Sequence, residues 1–182
     1  MGRVQAGEEQ ALAVLMDRWK APLYGFLQRR GASDSAEDLF QETWLRLVRA
    51  RQRFDPRRRF STWLFQIANN LCRDRWRRRD AEHRALESAR QETQVLMDPA
   101  LDRERPDSLT QRRELHGQLA AWLDALPDRL REVLVLRYYQ ERSEKEISAI
   151  LGIPRGTVKS RLHAAAKALR AAGKPGEVPD DS

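Results

Sequence analysis

The chain has 182 residues, and its 34 Lys and Arg against 27 Asp and Glu leave a formal net charge of +7. A hydrophobic content of 41% suits two small helical bundles better than one large core, and the excess of positive charge favours nucleic acid or an anionic surface as a partner. No apolar run approaches a membrane span, "MGRVQAGEEQ" lacks the order of a secretory signal, Ala6 breaks the myristoylation pattern, and the single cysteine, Cys72, excludes an internal disulfide or a cysteine-rich zinc site.

These features predict a cytoplasmic protein without membrane insertion. Between residues 11 and 27, Leu12, Leu15, Met16, Trp19, Leu23, Phe26 and Leu27 recur at helical spacing, and Pro22 predicts two helical pieces or one kink. "RRGASDSAED" interrupts the pattern, which resumes with Leu39, Phe40, Trp44, Leu47 and Val48. "DPRRR" reads as a basic turn, and "FSTWLFQIANNLCRDRWRRR" is helical again, with Ser61 or Thr62 as its cap. Residues 80–110 are highly charged, lose periodicity and include two prolines, which predicts a flexible linker. Pro127 closes the helix of "LHGQLAAWLDAL" and fits the first turn of the next, "PDRLREVLVLRYYQ". Ser143 and Glu146 then match a capping box, and Ile147, Ile150 and Leu151 form an apolar edge. Strand-like alternation is absent, so the predicted fold is all-α, with two small helical domains.

Gly152 stands where a positive φ ends a helix, Ile153 packs inward, and Pro154 suits the first turn of a final helix. On that helix Val158, Leu162, Ala165 and Leu169 share one side, leaving Gly156, Ser160, His163 and Lys167 on the other, flanked by Arg155 and Lys159. A short glycine turn before a helix with an apolar back and a small, basic front suits a helix-turn-helix entering a major groove. A solvated basic helix is the bland alternative on these residues alone.

The stretch "EISAILGIPRGTVKSRLHAAAKALR", preceded by "LPDRLREVLVLRYYQ", closely resembles the C-terminal helix-turn-helix of the extracytoplasmic-function sigma factors of bacterial RNA polymerase. The resemblance implies that Arg155, Gly156, Thr157, Lys159, Ser160, Arg161, His163 and Lys167 face the −35 promoter element. Ala164, Ala165 and Ala166 depart from the family, which often has an arginine just after the histidine position. "AEDLFQETWLRLVRARQRFDPRRRFSTWLFQIANNLCRDRWRRR" is similar to the other module of the same family. By that resemblance Asp38, Gln41, Glu42 and Arg46 dock on core RNA polymerase. Arg57, Arg58, Arg59, Phe60, Trp63, Asn69, Asn70, Arg73 and Arg77 receive the melted nontemplate strand of the −10 element, with Asn70 as the preferred pocket residue. Basic side chains interleaved with aromatic rings are the combination that tracks a single strand and accepts its bases.

The implied organisation is a core-binding and −10 domain at 8–79, a linker at 80–110, a −35 domain at 111–172 and a disordered tail at 173–182. The implied protein is a non-enzymatic subunit without cofactors that binds core polymerase and promoter DNA, duplex and melted, under the control of an anti-sigma factor. A stand-alone regulator would not require the Asp38, Gln41 and Glu42 stripe. A nuclease or recombinase would require a nucleophile or metal cluster in the first half. Asp38 and Glu42, one turn apart, lack a third ligand placed by sequence, and acids are common at helix N-termini. Cys72 reads as a small buried hydrophobe rather than a redox sensor, and Trp76 either stacks or packs.

Overall fold

The structure is a computed structural model and describes residues 1–32, 35–92, 121–123 and 125–171. Every regular element among them is helical. The first half contains α1 (Gly2–Gln5), α2 (Glu9–Leu27), α3 (Ala36–Arg49) and α4 (Phe60–Glu92). The second contains α5 (Asp128–Leu134), α6 (Glu144–Leu151) and α7 (Arg155–Ala171). Single π-helical turns extend α2 over Gln28–Ala32 and α5 over Val135–Tyr139.

Pro22 does not divide α2, which runs unbroken through it. An interior proline costs about 3 kcal/mol. Leu23, Phe26 and Leu27, just beyond it, are each 0% exposed, and burying such side chains contributes about 1.5–3 kcal/mol apiece. Packing just beyond the proline therefore outweighs the lost hydrogen bond.

In α3, Leu39, Thr43, Trp44 and Leu47 face inward, and the buried Thr43 hydroxyl donates to the Leu39 carbonyl at 2.6 Å. Glu37 and Asp38 occupy its first turn, Arg46 and Arg49 its last, both favourable to the helix dipole. Against it lies α4, 33 residues and roughly 50 Å long at 1.5 Å per residue. This helix continues past residue 80, where the linker is expected to begin, to Glu92. The lost apolar period marks the end of packing partners, not of helix, and Asp80 and Arg84 stabilise the projecting part by an i,i+4 ion pair at 2.6 Å. The remaining expected linker, 93–110, and the tail 173–182 lie outside the described residues.

Pro127 is the N-cap of α5, one step before the expected first turn. The Ser143 and Glu146 capping box is complete at α6, and Gly152 ends that helix at φ 66°. Pro154 likewise precedes α7 and accepts from the Val158 amide at 3.1 Å. Ser148 Oγ donates to the Ile153 carbonyl at 2.6 Å and fixes the turn between α6 and α7.

One apolar cluster runs through both halves. It joins Leu23, Phe26, Leu64, Phe65 and Ala68 to Val135, Leu136, Ile147, Ile150 and Val158. A smaller cluster of Leu123, Leu126, Leu134 and Ala165 belongs to the second half.

Candidate nucleic-acid interface

Val158 and Ala165 anchor α7, each 0% exposed, and turn the opposite side outward. Arg155, Gly156, Lys159, Ser160, His163 and Lys167 are exposed, and Thr157 is half-buried. Arg155, Lys159, His163 and Lys167 follow one another at four-residue steps, so their donors line one side of the helix. Ser160 Oγ donates to the Thr157 carbonyl at 3.1 Å. Arg161 departs from the expected set: it turns inward and donates to Glu132 Oε1 at 2.7 Å. Ala165 packs in the second-half core, which accounts for a small residue in the alanine run.

In the first half, the loop before α4 presents Arg57, Arg58 and Arg59 to solvent. Asp55 orders it by accepting from the Arg57 amide at 2.9 Å. From below, Gln5 of α1 donates to the carbonyls of Arg51 and Phe54, both at 3.0 Å, while Gln52 donates to the Gln5 carbonyl at 2.9 Å. Sequence reasoning missed this support, for a lone glutamine in a four-residue helix carries no periodic signal. Phe60 and Trp63 are half-buried in an aromatic cluster, Trp63 lying 5.0 Å from the Phe54 ring and Phe60 5.9 Å from Trp19. Trp63 also reaches a groove of about 880 Å³ shared with Arg57, Arg58, Arg59, Thr62 and Gln66. The far wall of that groove is Ser143, Lys145, Glu146, Ser148, Ala149 and Gly152 of the second half.

Asn70 is exposed on α4, whereas Asn69 is 0% exposed and sits away from that surface. Its Oδ1 accepts from Arg30 Nε at 3.3 Å, and its Nδ2 donates to Glu132 Oε2 at 3.5 Å. Arg73 is half-buried and Arg77 exposed further along α4, with Trp76 41% exposed between them.

A second groove, about 600 Å³, brings Asp38, Glu42 and Arg46 of α3 together with Asp74, Arg75, Arg78, Arg79 and Glu82 of α4. Arg46 bridges Glu42 at 2.8 Å and approaches Asp74 at 3.9 Å. Gln41 is exposed beside it. Part of the arginine run thus faces the acidic stripe of α3 rather than the loop at 57–59. Among the described residues, no group of three or more His, Cys, Asp or Glu side chains is placed to hold a metal.

The charges buried deepest lie between the halves. Arg30, its side chain 0% exposed, donates to both Asp128 carboxylate oxygens at 2.5 and 3.1 Å and lies 3.7 Å from Glu132. Burial works against the Arg30 charge, but its hydrogen bonds and attraction to Asp128, with further help from Glu132, outweigh burial and raise its pKa. Burial raises the Glu132 carboxyl above the usual range, against the opposing pull of Arg30, Arg73 and Arg161. Nearby, Arg142 donates to Ser61 Oγ at 3.1 Å, Gln140 donates to the Pro22 carbonyl at 3.2 Å, and Arg59 pairs with Glu146 at 2.9 Å.

Two family models match: Sigma-70 region 2 over residues 15–82 and Sigma-70 region 4 over residues 122–171. The chain is 38% identical over 175 residues to the ECF RNA polymerase sigma factor SigW of Bacillus subtilis (strain 168), covering 92% of this chain and 91% of that one. It is 35% identical to the RNA polymerase sigma factor CarQ of Myxococcus xanthus, covering 93% of each. Among solved structures, CnrH in complex with the cytosolic domain of CnrY superposes with a TM-score of 0.69 at 25% identity, covering 94% of this chain and 92% of that one.

Proposed function

As the chain belongs to the extracytoplasmic-function family of RNA polymerase sigma factors, we propose that its two halves divide promoter recognition between them. The protein binds core RNA polymerase and directs promoter-specific transcription initiation, acting in the cytoplasm as a non-enzymatic subunit. Asp38, Gln41, Glu42 and Arg46 provide the core-polymerase contact, in the groove where α3 and α4 combine acids with arginines. Arg57, Arg58, Arg59 and Trp63 track the melted nontemplate strand, and the exposed Asn70 receives a flipped base. Unstacking a base costs a few kcal/mol, which its capture offsets.

The carrying observation is the exposed Arg155, Lys159, His163 and Lys167 side of α7, held on a capped helix-turn-helix in the same chain as the α3 groove. That side reads the −35 element, with phosphate contacts fixing register and base-edge contacts supplying sequence. Arg161 supports α7 from behind through Glu132. An anti-sigma factor seated against or between the halves controls the protein; the solved complex of CnrH with the cytosolic domain of CnrY supports such a partner.

Transcription from a promoter library, with purified core RNA polymerase and mapped start sites, tests the reading. Defined transcripts are expected only when the protein is present. Asp38→Ala should weaken core binding, and Lys159→Ala should reduce dependence on the upstream element by about 1–3 kcal/mol, typical of a lost specific contact, or roughly 5- to 150-fold. Duplex binding without any programming of core enzyme would leave a stand-alone regulator instead.

A further inference from the structure

The short helix α1 holds the base of the loop assigned to the −10 strand. Four residues make a marginal helix in isolation, so α1 depends on what it packs against. Val4 is 3% exposed, and Met1 packs on the main apolar cluster. That anchoring brings the Gln5 side chain to the tight turn Arg51–Arg53, which follows α3. Gln5 Nε2 lies 3.0 Å from each of two carbonyl oxygens, those of Arg51 and Phe54, and its amide has one N–H for each. Gln52 returns a bond to the Gln5 carbonyl at 2.9 Å, so the two segments are tied from both sides.

These carbonyls stand where the loop departs. The Arg51 carbonyl also accepts from the Phe54 amide at 3.3 Å, and at Phe54 the backbone becomes extended, with φ −70° and ψ 123°. Beyond it Asp55, Arg57, Arg58 and Arg59 are exposed. The Phe54 ring is 7% exposed and lies 5.0 Å from the Trp63 ring and 6.3 Å from that of Phe60. A shift of the Phe54 backbone is therefore passed along the chain to the arginines and through the ring to Trp63. Arginines and a ring that share one strand read it only while their spacing holds, and recognition of this kind tolerates about 0.5 Å.

We propose that Gln5 is a positioning residue for −10 recognition: through the Arg51 and Phe54 carbonyls it sets the register of the arginine loop against Trp63, and with it the preference among −10 bases, without touching DNA. The proposal rests on the sigma reading for the role of the loop.

The test uses holoenzyme reconstituted from core polymerase and full-length wild type, Gln5→Met, Gln5→Glu or Gln52→Ala. Promoters share one −35 element and differ at one −10 base at a time, starting from the sequence that start-site mapping prefers. Methionine keeps the length of the side chain without its donors, whereas glutamate aims an acceptor-only carboxylate at two carbonyl oxygens. The readout is the ratio of transcript from the preferred −10 sequence to that from each substituted one. A smaller folded or core-bound fraction lowers both alike, so a purely structural role for Gln5 leaves the ratio unchanged. Gln5→Met should reduce it about 2- to 10-fold, the factor carried by one neutral hydrogen bond. Gln5→Glu should reduce it further and Gln52→Ala in the same direction, while preference at −35 stays that of wild type. Wild-type ratios in both Gln5 variants overturn the proposal, as does an equal loss of −10 and −35 preference. Those outcomes leave the sigma reading standing; a wild-type chain that programs no defined transcript sinks that reading, and the role of Gln5 with it.

Discussion

Cys72 shows how a single side chain reports its surroundings. It is 2% exposed among Ala68, Leu71 and Phe65, and burial pushes its thiol from 9.0 to about 11. Ionisation is disfavoured in the fold, so the contribution of this group to stability is intact below the unfolded value near 9.0 and is lost as pH rises through about 11. At pH 8 the thiolate population is lowered about 100-fold by that rise, and restricted access lowers reactivity further. Alkylation of the native protein at pH 8 should therefore be at least about 100-fold slower than in urea, with iodoacetamide incorporation followed by mass spectrometry. Rapid native labelling would mean a thiol open to solvent and would revive a redox role.

At the scale of elements, α6, its turn and α7 form the part that local sequence determines most fully. Ser143 and Glu146 satisfy each other's backbone donors, and Gly152 adopts φ 66°. An added Cβ at Gly152 meets nothing within 4 Å, so Gly152→Ala is penalised through its backbone alone, by about 1–2 kcal/mol. Ser143→Ala should cost about 1 kcal/mol through the lost cap. Urea unfolding of each variant checks both, and a neutral Gly152→Ala would mean that the turn relaxes out of the left-handed region. Such features were legible because caps and turns involve residues only a few positions apart. The outward side of α7 was legible for the same reason, through the 100° step per residue that places Val158 and Ala165 inward. That step also limits a motif: Asn69 and Asn70 are neighbours in sequence yet point about 100° apart, and only the packing of α4 decides that Asn69 is buried. Arg161 is the matching case on α7, directed to Glu132 by a partner 29 positions earlier.

At the scale of the whole molecule, periodicity shows that a face is apolar but not what covers it. Two helical halves could be read from the sequence; their packing into one core could not, because no local pattern marks Arg30, Asp128 and Glu132 for burial against each other. Their burial makes docking costly to disturb. A hydrogen bond to a charged group contributes about 1.5–3 kcal/mol against about 0.5–1.5 for a neutral one, so Asp128→Asn should weaken docking by about 1–2 kcal/mol. Asparagine keeps the shape and the start of α5, and among the described residues the hydrogen bonds that the Asp128 carboxylate accepts come from Arg30, so the loss falls on the contact between halves. With a shared core, the wild-type chain should unfold in one calorimetric transition whose van't Hoff and measured enthalpies agree. In Asp128→Asn the two enthalpies should diverge, the measured value exceeding the van't Hoff one as the halves begin to melt separately. Two resolved transitions in the wild-type chain would instead mean that each half is stable by itself and that the closed contact adds little to either.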